Sequence, residues 1–120
     1  MSRDYRKLTV FQLADDLAIG IYNATRTFPN DEKFGLTSQM RRAAVSVAAN
    51  IVEGSFRDSE RDYVHFLEIS LGSCAEVGYM LDLARRLGYL APEAATKLQE
   101  TQNHCARGLA ALLRTRRAPA

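Results

Sequence analysis

The sequence predicts an all-α fold, an antiparallel up-down-up-down four-helix bundle. Three observations carry this expectation. Four segments repeat apolar residues at the helical period, each is bounded by residues that start or stop helices, and no credible strand interrupts them. At 120 residues the chain has room for one domain, 1–120, around one core.

The first helix is expected over about residues 9–28. Thr9 and Gln12 have the spacing of a capping box. Phe11, Ala14, Leu17, Ala18, Ile21, Thr25 and Phe28 make one apolar stripe, and Pro29 stops the helix by pushing its predecessor out of the α region. The second helix is expected over about 37–53, with Thr37 or Ser38 as N-cap and Gly54 closing it.

Helix two has an unusual pattern. Met40, Ala44, Val47 and Ile51 form one stripe, while Val45, Ala48, Ala49 and Val52 form another on a different side. A helix apolar on two sides must bury both, and one bundle core covers only one of them. Val45, Ala49 and Val52 are therefore expected at a contact with a partner. Gln39, Arg41, Arg42, Asn50 and Glu53 share this helix. Arg41 and Arg42, about 100° apart around the axis, cannot both lie on one solvent stripe. At least one guanidinium is expected at a packed boundary, paired with a carboxylate such as Glu53, Glu68 or Glu76 from this chain or a neighbour, or bound to a phosphate.

The third helix is expected over about 59–88. Ser59 is its N-cap, Glu60 and Asp62 sit in the first turn, Arg85 and Arg86 in the last, and Gly88 ends it. Gly72 and Gly78 within it are read as points of close helix packing. The fourth helix is expected over about 92–115, starting at Pro92, with Arg116 to Ala120 as a frayed tail. Short connections between helices of roughly 30–45 Å imply antiparallel neighbours. If helices three and four pair about Leu90, Cys74 and Cys105 face each other across the core as free, buried thiols.

Composition excludes several classes. The hydrophobic and charged fractions, 47% and 25%, are those of a folded globular domain. No apolar run approaches the roughly 18 residues of a membrane span, and the basic start lacks an apolar h-region, so the expectation is a cytoplasmic protein with no membrane partner. The net charge of +2 is uneven: 0 over residues 1–35, +1 over 36–55, −2 over 56–90 and +3 over 91–120. The basic excess, in Lys97, Arg107, Arg114, Arg116 and Arg117, hints at an anionic partner.

No catalytic or cofactor pattern emerges. His65 with Glu68 reverses the Glu-x-x-His order of di-iron bundles, and Glu100 with His104 has the wrong spacing. In the expected pairing the two histidines stand roughly 16 Å apart, too far to share a metal. There is no G-x-S-x-G elbow and no glycine-rich phosphate loop. The expectation is a non-enzymatic protein with no cofactor.

The block Phe34-Gly-Leu-Thr-Ser-Gln-Met-Arg-Arg-Ala-Ala-Val-Ser-Val-Ala-Ala-Asn-Ile-Val-Glu-Gly54 resembles the signature of the four helix bundle protein family. These are also called 23S rRNA intervening-sequence proteins, after reading frames inside bacterial rRNA genes. Tyr5 to Gln12, Phe28-Pro29, Phe66 to Ser73 with Glu76, and Leu87-Gly-Tyr-Leu90 extend the similarity over nearly the whole chain. Phe11 stands where the family often has Trp, and Ala48-Ala49 where it often has a proline. The resemblance implies a homopentamer, five bundles in a tapered ring. Relatives include the nucleic-acid-binding accessory protein of diversity-generating retroelements, which works beside a reverse transcriptase. RNA or DNA is thus an implied partner, and a reverse transcriptase is one if the gene lies in a retroelement. Five copies carry a formal +10, with Arg107, Arg114, Arg116 and Arg117 as the expected backbone contacts. Arg41, Arg42, Val45, Ala49, Val52 and Glu53 are the expected interface. The competing reading is a structural oligomer whose partner is another protein.

Overall fold

A computed structural model describes residues 3–117. Four helices account for most of them: α1 (Thr9–Thr25), α2 (Leu36–Ser55), α3 (Glu60–Arg86) and α4 (Pro92–Arg117), with single 3-10 turns at Tyr5–Lys7 and Asn30–Glu32. They form an elongated body of 48 × 22 × 20 Å. Among the described residues there is no strand.

Each helix packs on two others, α2 on α1 and α3, and α4 on α1 and α3. Side-chain contacts give the directions. Ser46 meets Ser73, Val47 meets Ser70, and Gly54 lies against Tyr63 and Phe66, so α2 and α3 run oppositely. Between α3 and α4, Cys74 pairs with Gln102 and Glu60 with Arg116. Gly20 lies against Leu98 and Gly108 against Val10, which sets α1 against α4 in the same way.

The apolar stripes meet at the centre. Ala14, Leu17 and Ile21 of α1, Met40, Ala44, Val47 and Ile51 of α2, Leu67, Cys74, Val77 and Leu81 of α3, and Cys105 and Leu109 of α4 are all fully buried. Their spacing of three or four residues puts each set on one helix face. The thiols are neighbours in the core as expected and are not cross-linked; Cys74 Sγ donates to the Gln102 carbonyl at 3.5 Å and Cys105 Sγ to the Val10 carbonyl at 3.9 Å. The neighbouring Cys105 thiol lowers the Cys74 thiol's pKa, and the Cys74 thiol together with burial pushes Cys105 up.

Helix ends differ from expectation in instructive ways. α1 stops at Thr25 rather than Phe28, because Arg26 and Phe28 donate to the carbonyls of Asn23 and Thr25 in tight i−3 turns before Pro29. Phe28 then turns inward against Tyr89, ring centroids 5.4 Å apart. No side chain caps α1, so Thr9 and Gln12 form no capping box; the N-cap is Leu8. Neither Thr37 nor Ser38 caps α2. Its first N–H, on Leu36, donates to the Glu32 carboxylate at 3.0 Å, while the other oxygen of Glu32 accepts from the Tyr89 hydroxyl at 3.0 Å. One carboxylate therefore caps α2 and ties together two connections at the same end of the bundle.

α2 runs past Gly54 to Ser55. Gly54 is needed for close approach, since a Cβ there would lie 3.0 Å from the Phe66 Cβ and 3.1 Å from the Tyr63 ring. Gly78 plays the same part toward Gln102, whereas Gly72 is open to solvent and is no packing point. Ser59 caps α3 as expected, accepting from the Asp62 N–H at 3.0 Å. α4 continues to Arg117, so Arg116 and Arg117 are helical rather than frayed; residues 118–120 of the expected tail lie outside the described residues.

Gly88 closes α3 with φ +80. Its N–H donates to Arg85 and that of Tyr89 to Ala84, the paired bonds of a left-handed C-cap. Gly88→Ala should cost about 1–2 kcal/mol in urea unfolding, because a Cβ disfavours this backbone region. An unchanged midpoint would show that the cap is not left-handed.

Candidate nucleic-acid and assembly surfaces

The end of the bundle where α2 and α4 finish is built from distant segments. Arg3 reaches the α2–α3 turn: its backbone N–H donates to Ser55, and its guanidinium donates to the Arg57 carbonyl at 3.2 Å and to Glu60 at 2.7 Å. Glu60 also accepts from Arg116 at 3.2 Å. The Tyr63 ring, 1% exposed, lies between the two cations, 4.1 Å from the Arg3 guanidinium and 5.3 Å from that of Arg116. Next to it Arg117 pairs with Glu68. A cleft of about 480 Å³ opens here between α3 and α4, lined by Glu60, Arg61, His65, Glu68, Arg116 and Arg117.

The four arginines singled out on α4 therefore divide. Arg116 and Arg117 are ion-paired and order the bundle end. Arg107 and Arg114 are exposed and make no ion pair among the described residues. Two turns apart on α4, they point the same way, roughly 10 Å from one another along the axis. Arg61, on the first turn of α3, is exposed as well. The sequence signalled the α4 arginines through their local excess. Arg3 and Tyr63 were invisible as partners, because about half the chain separates them.

Desolvation would raise the Glu60 carboxyl, but the hydrogen bonds and charges of Arg3 and Arg116 outweigh it and hold it below the usual range. A depressed carboxylate contributes stability present above its unfolded pKa and lost as pH falls through the folded one. Thermal stability should fall with pH below about 4.5, with a smaller drop for Glu60→Gln in a melting series from pH 6 to 3. Identical profiles for the two proteins would show that this junction carries no stability.

On α2 the two apolar stripes separate as the sequence implies. One fills the core. On the other, Val45 is 43% exposed, Ala49 is exposed, and Ala48 and Val52 are half-buried. Tyr22 and Ile19 of α1, with Phe34 and Phe56 at the ends of α2, are exposed large apolar residues too.

The polar residues of α2 do not form one cluster. Arg41 turns to α1, where Nε donates to the Thr25 hydroxyl at 2.8 Å and a terminal nitrogen to the Tyr22 carbonyl at 3.4 Å, its guanidinium 4.7 Å from the Tyr22 ring. No carboxylate of this chain meets it among the described residues: Glu53 pairs with Arg57 at 2.6 Å and Glu68 with Arg117. Arg42 and Glu76 line one open groove with Gln39 but form no ion pair. Asn50 donates to Ser46, which meets Ser73 at 2.8 Å.

Among the described residues, no three metal-ligating side chains come together, and no helix is long and apolar enough to cross a membrane. The fold and its surfaces define a helical-bundle protein whose ion pairs lie on its outside. A sequence model of the 23S rRNA-intervening sequence protein family matches residues 6–111, and the chain belongs to that family. No curated protein matches it. The fold is similar to the crystal structure of a protein of unknown function from the S23 ribosomal protein family of Bacteroides thetaiotaomicron. That similarity has a TM-score of 0.80 and 24% identity, covering 88% of this chain and 95% of the other.

Proposed function

We propose that this chain is a non-enzymatic, cytoplasmic accessory protein that binds the backbone of RNA or DNA as a homopentameric ring of up-down-up-down bundles. The observation that carries the nucleic-acid reading is the pair Arg107 and Arg114 on α4, exposed and in no ion pair among the described residues, with Arg61 exposed at the start of α3. Five copies multiply a modest charge into a field strong enough to hold a polyanion. The ring rests on the second apolar stripe of α2, which this chain leaves open. A reverse transcriptase is a partner in this reading where the gene lies in a retroelement.

Replacing Arg107 and Arg114 by Gln should weaken RNA and DNA binding alike and flatten its salt dependence, the slope falling by about one for each phosphate no longer neutralised. Filter retention across a salt series measures it. Absence of retention by the unaltered protein at low salt would favour a structural oligomer. The locking of Arg116 and Arg117 to Glu60 and Glu68 is the observation on that side.

A further inference from the structure

At the opposite end, the connection between α1 and α2 encloses a smaller cleft of about 170 Å³, whose walls include Thr25, Arg26, Asn30, Lys33, Thr37 and Arg41. Three of its lining residues are cations and none is a carboxylate. The neighbouring Glu32 is committed to the Leu36 N–H and the Tyr89 hydroxyl, and Asp31 is exposed.

Two groups here lack the partner their chemistry calls for. Arg41 is half-buried, yet it is held by a hydroxyl, a carbonyl and a ring face, all neutral. The guanidinium keeps its terminal nitrogens at the surface and has no counter-charge among the described residues, which leaves it free to meet an anion. Thr37 is only 8% exposed, and its hydroxyl makes no hydrogen bond among the described residues. Every completely enclosed side-chain nitrogen or oxygen among them does have a partner, so the Thr37 hydroxyl keeps some exposure, and Thr37 lines both this cleft and the adjoining groove of Tyr22, Phe34 and Arg42. α2 also begins here. The N–H groups of Thr37 and Ser38 have no backbone acceptor among the described residues, beside the Leu36 N–H that the Glu32 carboxylate caps.

We propose that this cleft is a phosphate-binding subsite, in which Arg26, Lys33 and Arg41 supply charge and the Thr37 hydroxyl and the first free amides of α2 donate to a phosphoryl group. Several cations with donors on one side suit a multiply charged oxyanion with several acceptors better than a carboxylate. The subsite stands apart from the arginines of α4 and does not depend on them. The phosphoryl group could come from the 5′ end of a nucleic acid or from free phosphate; the chemistry recognised is the same.

Inorganic phosphate titrated at constant ionic strength, against chloride, should give saturable shifts of the Thr37 and Ser38 amides in nitrogen-15 NMR. Thr37→Val, nearly isosteric, should weaken binding several-fold, and Arg41→Gln about tenfold, with partial recovery in Arg41→Lys. Shifts no larger than those with chloride, or unaffected by Thr37→Val and Arg41→Gln in folded protein, would overturn the proposal. So would Arg41→Gln lowering the assembly mass while phosphate shifts persist, since the missing counter-charge would then be a second copy's carboxylate. A 5′-phosphorylated oligonucleotide preferred over its 5′-hydroxyl form, with the preference lost in Arg41→Gln, assigns the group to a nucleic-acid end. Saturation by phosphate with both oligonucleotides bound equally assigns it to free phosphate.

Discussion

Replacing Val45 and Val52 together by aspartate should convert the assembly to single folded chains at micromolar concentration. Val45 is 43% exposed on the isolated bundle and Val52 half-buried, so each carboxylate can reach water when the chain stands alone. In a ring that covers this face, the same carboxylates would be buried without partners. Such burial costs several kcal/mol for each group, and each 1.4 kcal/mol is about a factor of ten in association. Helical circular dichroism should be retained while the mass drops to one chain. An unchanged mass would move the interface to another face of the bundle.

The neighbouring residue should behave in the opposite way. Ile51 is fully buried, facing the centre with Met40, Ala44 and Val47. Ile51→Ala removes three carbons from a packed core and should cost about 2–5 kcal/mol in denaturant unfolding, a large part of a small domain's stability. Val52→Ala, one residue on, should cost the isolated chain less than about 1 kcal/mol. The contrast separates the two stripes by readout: one sets folding, the other assembly. Equal losses at both positions would mean that the two stripes share one core.

The helical skeleton was legible because its signals are local. Apolar spacing of three and four residues, Ser59 before Glu60 and Asp62, and Gly88 after Arg85 and Arg86 all act within a turn or two. The facing of Cys74 and Cys105 followed from counting residues either side of Leu90. What failed depended partly on tight local turns, such as those that end α1, and partly on contacts the chain makes with itself at long range. The cap of α2 comes from Glu32, four residues before Leu36, a carboxylate that also accepts from Tyr89, 57 residues away. Gly54 carries the marks of a helix stop, but its meaning lies in Phe66 and Tyr63.

The surfaces were legible in part. A helix apolar on two sides announced an open face, and the structure leaves Val45 and Ala49 outside. Charge excess located the α4 arginines but could not tell Arg107 and Arg114 from Arg116 and Arg117, because the carboxylates that pair with the latter two sit on α3. Arg41 or Arg42 was expected at a packed boundary, and within the chain Arg41 takes a hydroxyl and a carbonyl from the end of α1. A one-dimensional reading counts charges; it does not show which ones the fold has already satisfied.

The central claim, that the second face of α2 is covered by copies of the same chain, is tested most directly by the mass of the unaltered protein in solution. Multi-angle light scattering at micromolar concentration should give a value near five times the 13.4 kDa of one chain. A mass of 13.4 kDa would contradict it.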